Sequence, residues 1–288
     1  FDQFWSNYLS DYQAPEIPFV STVVSNNTEQ EEQSYLLKDN ESAQLLNLSR
    51  EKGIRVDTIF LALYHNVLSL FQNTDDLAVG LVTNNRLEKE GGDKLLGLFL
   101  NTIPFRPALL EKERTVGNWI QHIADEKSRV MKYKALPYAT IKSSYLSEAN
   151  NYQSVFNYVH FHVVEKAINL ETDEGTQYLE GQGGYEKINI PMAFSISRQL
   201  DYFFVSMKSH KESVNGYAFK QFWEYFKNSI HQLTVNADRL DEMPLIELSE
   251  SDHQLLQEWN KTDQKVNTDV TLHELVEERV KQTPDLIA

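Results

Sequence analysis

An α/β fold with a mixed β-sheet flanked by helices is what this 288-residue sequence predicts, on three observations. Strand-like stretches at 75–86, 153–164 and 188–209 are interleaved with stretches of helical apolar spacing at 41–72, 115–145 and 217–233, the order of an α/β domain. One helical stretch, VDTIFLALYHNVLSLFQ (56–72), is apolar on nearly all sides, as a helix in the middle of a domain has to be. The length is ample for a real core and suits one large domain or two smaller ones.

The elements follow in order. Phe1, Phe4, Trp5, Tyr8 and Leu9 have helical spacing, so the chain opens on an amphipathic helix. QAPEIPF (13–19) is a proline-punctuated connector, and SYLLK (34–38) is a short strand. A helix over 41–52 is ended by Gly53. The 56–72 helix takes Asp57 as its N-cap, with Val56 and Leu61 placed as a hydrophobic staple. DDLAVGLVTNNR (75–86) is a buried strand leaving into a polar turn. KLLGLFLNTIPFRPALL (94–110) is a second, in which Pro104 and Pro107 restrict pairing. Thr115 caps a helix to about Tyr133, and Pro137 stands near the first turn of another over 136–145. QSVFNYVHFHVV (153–164) alternates as a strand does. An acidic, glycine-bearing loop covers 171–187, a hairpin pair lies at 188–197 and 200–209, and a helix over 217–233 closes the compact part. The acidic, weakly periodic stretch that follows has the composition of a linker. At the end, TLHELVEERVKQTPDLIA (271–288) carries a Thr271/Glu274 capping box, a helical face of Leu272, Leu275, Val276 and Val280, and a stop at Pro284.

Charge and composition narrow the function classes. With 27 basic against 42 acidic residues the net charge is −15, which argues against nucleic acid or an anionic membrane as partner. The absence of cysteine excludes a disulfide framework, a thiolate metal site and a cysteine nucleophile. The first residues have no basic leader or apolar signal core and no apolar run approaches eighteen residues, so a cytoplasmic location is the expectation.

Most catalytic signatures can be discarded. GQGGYEK lacks the lysine and following helix of a phosphate loop, and there is no G-x-S-x-G elbow. His160 and His162 share one face of a strand, but no third metal ligand is evident, so hydrogen-bonded histidines are the better reading. His65 belongs to core or interface. A pair of strands ending in polar groups stands out from this background: Asn85-Arg86 follow one, and Asn101-Thr102 and Arg106 lie in the other. Such groups pin loops and sheet ends, or they meet another lobe or a ligand channel.

These two strands resemble the condensation-domain family of non-ribosomal peptide synthetases. Family members carry V-G-x-x-x-x-N-R and then G-x-F-x-N-T-x-x-x-R, matched here by Val79-Gly80 to Asn85-Arg86 and by Gly97, Phe99, Asn101-Thr102 and Arg106. FWSNYL is similar to the family's tryptophan-bearing helix, and SVFNYVHFH to its F-x-x-x-F-N strand, through Phe156-Asn157. KALPYATIK resembles a Q-H-x-x-x-P-F-E motif, keeping Pro137 and Tyr138 but with Lys132-Tyr133 in place of Gln-His and Ala139 in place of Glu. EMPLIELSESDHQLLQEWNKT is similar to the linker that joins condensation to adenylation domains, and 271–288 to the first helix of an adenylation domain.

The resemblance implies a chloramphenicol-acetyltransferase-like lobe. Its domains would be the C-terminal lobe of a condensation domain at 1–235, a linker at 236–270 and the start of an adenylation domain at 271–288. The implied activity is amide formation between a donor thioester and an acceptor aminoacyl thioester. No cofactor is bound directly; the phosphopantetheine belongs to partner carrier proteins. The other implied partners are the N-terminal lobe of the same domain and the downstream adenylation domain, with no nucleic acid and no membrane. The family's H-H-x-x-x-D-G motif is missing, since none of the eight histidines is adjacent to another, so no catalytic residue is assigned and the chain alone is expected to be inactive. Asn85, Arg86, Asn101, Thr102, Arg106, Pro137, Tyr138, Asn157 and Ser195 are the candidates for the tunnel or lobe interface, with Gly183, Gly184 and Asn189 for a bridging loop. The alternatives are a non-catalytic docking or gating lobe, and an epimerisation-type relative, which the adenylation-like tail disfavours.

Overall fold

The computed structural model describes residues 1–15, 29–37, 39–86, 91–108, 115–146, 151–160, 190–199, 201–211, 215–242, 248, 250–263 and 270–284. The acidic loop, with Gly183, Gly184, Asn189 and His162, lies outside the described residues. The chain divides into two compact units, Phe1–Glu247 and Leu248–Ala288.

The first unit is built on a six-stranded sheet in the order β1-β6-β5-β4-β2-β3. Its strands are β1 (Gln30–Leu37), β2 (Val79–Asn84), β3 (Leu100–Phe105), β4 (Ser154–His160), β5 (Met192–Gln199) and β6 (Tyr202–His210). β2, β4 and β5 run parallel, while β1, β3 and β6 pair antiparallel with their neighbours. The mixed sheet is therefore as the sequence predicts. β1 starts four residues earlier than the SYLLK pattern indicates, because Gln30 to Gln33 pair with β6 although they carry no apolar signal. Pro104 sits within β3, which among the described residues pairs on the β2 side alone, so its missing N–H costs that ladder nothing.

The α-helices described in this unit are α1 (Asp2–Tyr8), α2 (Asp39–Lys52), α3 (Val56–Gln72), α4 (Val116–Met131), α5 (Tyr138–Tyr145) and α6 (Gly216–Val235). α3 is buried along most of its length and packs on one sheet face together with α6. The Tyr64 ring stacks on Phe194 of β5 at 4.5 Å and meets Phe222 of α6 edge-on at 5.8 Å, while Phe60 meets Phe203 of β6 at 5.1 Å. The Thr115 cap falls where the sequence puts it, accepting from the Asn118 N–H, and Asn215, for which no cap was expected, accepts from the Tyr217 and Ala218 N–H groups at the start of α6.

The α3 cap is different from the expectation. Arg55, not Asp57, holds the N-cap position, and it gives no side-chain cap bond. The staple positions accordingly move to Ile54 and Ile59, both buried. Asp57 is inside the first turn because it has another task. Its carboxylate accepts from Lys127 Nζ of α4 at 2.8 Å and from Arg55 Nε at 3.1 Å, and Lys127 also reaches the Thr58 hydroxyl at 3.1 Å. Burial opposes charge on both partners and lowers the Lys127 pKa. At Asp57 burial is outweighed by Lys127 and Arg55, which hold the carboxyl below its ordinary 3.8.

In the second unit, α7 (Glu250–Trp259) and α8 (Leu272–Gln282) are the helices described. The α8 capping box forms, with the Thr271 N–H donating to the Glu274 carboxylate at 2.8 Å. Leu272, Leu275, Val276 and Val280 of α8 are exposed. No single described helix is long and apolar enough to cross a membrane; α2 and α3 pass such a test only as a pair bent by 105°.

The buried ion pair can be tested in two ways. Lys127→Met leaves the Asp57 carboxylate buried without its main partner, and we expect a loss of about 3–5 kcal/mol in urea unfolding. Because the folded pKa of Asp57 is depressed, its stabilising contribution is present above the unfolded value near 3.8 and is lost as pH falls through the folded pKa. Acid unfolding of the wild type should thus carry a component below pH ~4 that the Lys127→Met chain lacks.

Candidate functional site

The side of the sheet that faces away from α3 and α6 carries the arrangement of interest. Register places Asn157 of β4 beside Ser195 of β5, Ser195 beside Ser206 of β6, and Ser206 beside Ser34 of β1. On the other flank Val82 of β2 pairs with Thr102 of β3, and the register that joins Leu81 to Phe156 carries Val82 opposite Asn157. Side chains alternate along a strand, so this whole row points away from α3 and α6, whereas Phe156, Phe194 and Met207 point toward them. The row is Thr102, Val82, Asn157, Ser195, Ser206 and Ser34: short side chains, mostly hydroxyl or amide. Thr102, Asn157 and Ser195 are half-buried, Ser206 is buried and Ser34 exposed.

Such a row offers neutral donors and acceptors and no charge. It fits a chain rich in amides and hydroxyls laid across the strands better than an anion or a metal ion. Among the described residues no group of three or more histidine, aspartate or glutamate side chains has a metal-binding arrangement. His160 ends β4, paired in the backbone with Arg198.

Three of the sequence-predicted residues therefore come together in this row, and the other described ones lie outside it. Asn101 faces the opposite side and pins the turn after α4. Its Nδ2 donates to the Lys134 carbonyl at 2.9 Å and the Leu136 carbonyl at 2.8 Å, and its Oδ1 accepts from the Tyr138 N–H at 3.1 Å. Asn85 Nδ2 donates to the same Lys134 carbonyl at 3.2 Å, and Lys134 Nζ reaches back to the Asn84 carbonyl at 2.7 Å. Arg86 donates to the Gly92 and Leu95 carbonyls at 2.9 and 2.7 Å and lies over the Phe99 ring at 4.3 Å, bracing the β2–β3 connection. Pro137 is the N-cap of α5. Tyr138 donates its hydroxyl to Asn151 Oδ1 at 2.6 Å, and its ring sits 5.3 Å from that of Tyr152.

Arg106 is a staple at the far end of β3. It makes a two-pronged pair with Asp76, at 2.5 and 2.7 Å, and donates to the Tyr8 and Ser10 carbonyls at 3.3 and 2.9 Å. The Tyr8 hydroxyl accepts from the Arg106 N–H at 2.7 Å, and burial pushes the Tyr8 pKa far above its usual value. The Asp76 bonds raise the Arg106 pKa further, so this cation is permanent. Beside it a groove of about 710 Å³ is lined by Phe4, Tyr8, Arg129 and Tyr133 among others. Its aromatic wall is a tight stack, Phe4 on Tyr133 at 3.8 Å, with Arg129 over Phe4 and Tyr8.

Sequence reasoning missed Ser206, Ser34 and Val82, which complete the row, and Tyr152, which explains the motif glycine. A Cβ on Gly80 would stand 2.5–2.9 Å from the Tyr152 ring, so the residue before Leu81 has to be glycine for that ring to lie on the strand. Ser206 had a signal, since the hairpin alternation puts it opposite Ser195. The Tyr152 contact had none, because it depends on how the 151–153 turn crosses β2.

The sequence matches the condensation-domain family model over residues 2–256. Bacitracin synthase 3 of Bacillus licheniformis is 25% identical over 288 aligned positions, which take in 98% of this chain and 4% of that protein. The chain thus spans only a small part of the length of such a relative. The non-ribosomal peptide synthetase FmoA3, in its α-methyl-L-serine-AMP-bound form, superimposes with a TM-score of 0.75 at 16% identity, covering 99% of this chain and 32% of that one. The condensation domain of the monacolin K polyketide synthase MokA gives 0.64 at 17% identity, covering 82% and 57%.

The pinning role of Asn101 is open to direct measurement. Asn101→Ala removes three hydrogen bonds, and we expect a loss of roughly 2–3 kcal/mol in urea unfolding. Faster amide exchange should be confined at first to residues 132–138. Gly80→Ala should cost about 1–3 kcal/mol through overlap with the Tyr152 ring. Combining it with Tyr152→Leu should recover part of that loss.

Proposed function

Because this chain belongs to the condensation-domain family, with the chloramphenicol-acetyltransferase-like fold of its structural relatives, we propose that its first unit is the C-terminal lobe of an amide-forming domain. The polar row on the sheet is then one wall of the tunnel between two lobes. The observation that carries this reading is one cross-strand row of short neutral polar side chains on the sheet face away from α3 and α6, on a chain that spans 57% of a family member's condensation domain.

Two carrier proteins present thioesters on phosphopantetheine arms from opposite ends of that tunnel. The arms supply the thioester chemistry; the hydroxyls and amide of Thr102, Asn157 and Ser195 hold an arm or acceptor chain by neutral hydrogen bonds. The acceptor amine attacks the donor carbonyl, a C–N bond forms, the C–S bond breaks, and the proton lost by nitrogen ends on the departing thiol. Alignment of two tethered reactants supplies much of the rate. No adjacent histidine pair exists in this chain, so the group that orients the amine or relays its proton belongs to the other lobe. Asn85, Arg86, Asn101 and Arg106 serve this wall indirectly, by fixing the strands that carry it. The second unit, with its capped α8, is the connection to an adenylation domain, a reading supported by the 99% coverage in the superposition on FmoA3.

The test uses the intact synthetase with loaded carriers. Asn157→Leu with Ser195→Val should lower the condensation rate by roughly tenfold or more, with amino-acid activation and thermal stability unchanged. Condensation at the wild-type rate would remove this wall from the reaction. The 288-residue chain alone should form no dipeptide from two loaded carriers.

A further inference from the structure

Past α6 the chain does not leave the first unit at once. It turns tightly, with the Arg239 N–H donating to the Asn236 carbonyl and the Glu242 N–H to the Arg239 carbonyl, both at 2.9 Å. Leu240 is only 2% exposed and joins the main core cluster. Its carbonyl accepts from the Gly117 N–H at 2.9 Å. Gly117 is in the first turn of α4, where amides have no partner within the helix, so Leu240 supplies one from outside. The next residue, Asp241, sets its carboxylate against the same turn and 3.8 Å from Lys52 Nζ, the last residue of α2.

Gly117 marks how closely the two segments approach. A Cβ there would overlap the Asp241 carboxylate and lie 3.4 Å from the Asp241 backbone nitrogen. The carboxylate is the end of a side chain that is 72% exposed and can turn aside, while the backbone stands at ordinary contact distance.

We propose that residues 236–242 are a clasp. Leu240 and Asp241 seat on the N-terminal turn of α4 and beside the end of α2, and hold the chain that follows α6 against the first unit. A stretch with a linker's composition is thereby part of the folded body. Seven residues held this way remove about 24 Å of reach from the free connection, which limits the excursions open to whatever the chain carries next. This inference does not depend on the tunnel-wall reading.

Hydrogen exchange on the full 288-residue chain tests it, with Leu240→Ala and Asp241→Ala. Leu240→Ala should speed exchange across 236–242 and at the Gly117 amide by about tenfold or more while the sheet keeps its protection. Asp241→Ala, at an exposed side chain, should change it far less. Unchanged protection of 236–242 in Leu240→Ala overturns the clasp, and so does loss of protection spread evenly over the sheet.

Discussion

The first unit depends on the aromatic packing between α3, the sheet and α6. Tyr64 stands at its centre, touching Phe156 and Phe194 on the strands and Phe222 on α6, and Phe194 continues to Phe226 at 4.6 Å. Large rings at 4.5–6 Å bury much area for each residue ordered and prefer particular angles, so they fix both the height and the rotation of α3 over the strands. Once α3 is set, its neighbours are constrained in turn. α4 is tied to it by the Trp119 indole, which donates to the Ala62 carbonyl at 2.9 Å, and by the Lys127–Asp57 pair.

α4 then acts as a spacer between two tied ends. Its first turn receives the Leu240 carbonyl at the Gly117 amide, and the turn beyond its last residue gives the Lys134 and Leu136 carbonyls to Asn101 and Asn85. Sixteen helical residues cover about 24 Å, so one rigid element joins the departing chain at one end to the ends of β2 and β3 at the other. The asparagines of the paired motifs are thus explained by the backbone of this turn. An amide side chain offers two N–H donors and one carbonyl, and Asn101 uses all of these functions on groups that have no strand partner.

Sequence patterns carried the elements wherever one residue type decides locally. The all-round apolar 56–72 stretch, the Thr115 cap and the Thr271/Glu274 box each follow from residues within four positions of one another. What escaped depended on distant partners. Asp57 looks like a cap until Lys127, seventy residues away, claims its carboxylate. Gln30 to Gln33 are strand only because β6 lies beside them. Thr102, Asn157 and Ser195 were legible as polar residues on core strands, but their alignment in one row, and the separation of Asn85, Asn101 and Arg106 from it, is a matter of register. A one-residue slip would have reversed it.

The Asn157 row differs in side-chain size from the helix-facing residues beside it, and that difference bears on what can lie over it. Toward the helices stand Phe105, Phe156, Phe194, Phe203 and Met207, all fully buried. Away from them the row of Thr102, Asn157, Ser195, Ser206 and Ser34 has short side chains that let a second layer come close to the backbone but give it little apolar area, with Phe204 and Leu36 and the Lys208–Glu32 pair flanking it on the same face. A helix of the same chain docked there would bury hydroxyl and amide groups for a small hydrophobic return, and each left unbonded would be costly. A ligand or lobe surface that hydrogen-bonds to the row meets no such cost, and between occupancies water satisfies the same groups. The Asn157 row is therefore better suited to an occupant that comes and goes than to permanent core. That asymmetry, set by which residues alternate on β3, β4, β5 and β6, is the physical ground for reading this face as a working surface.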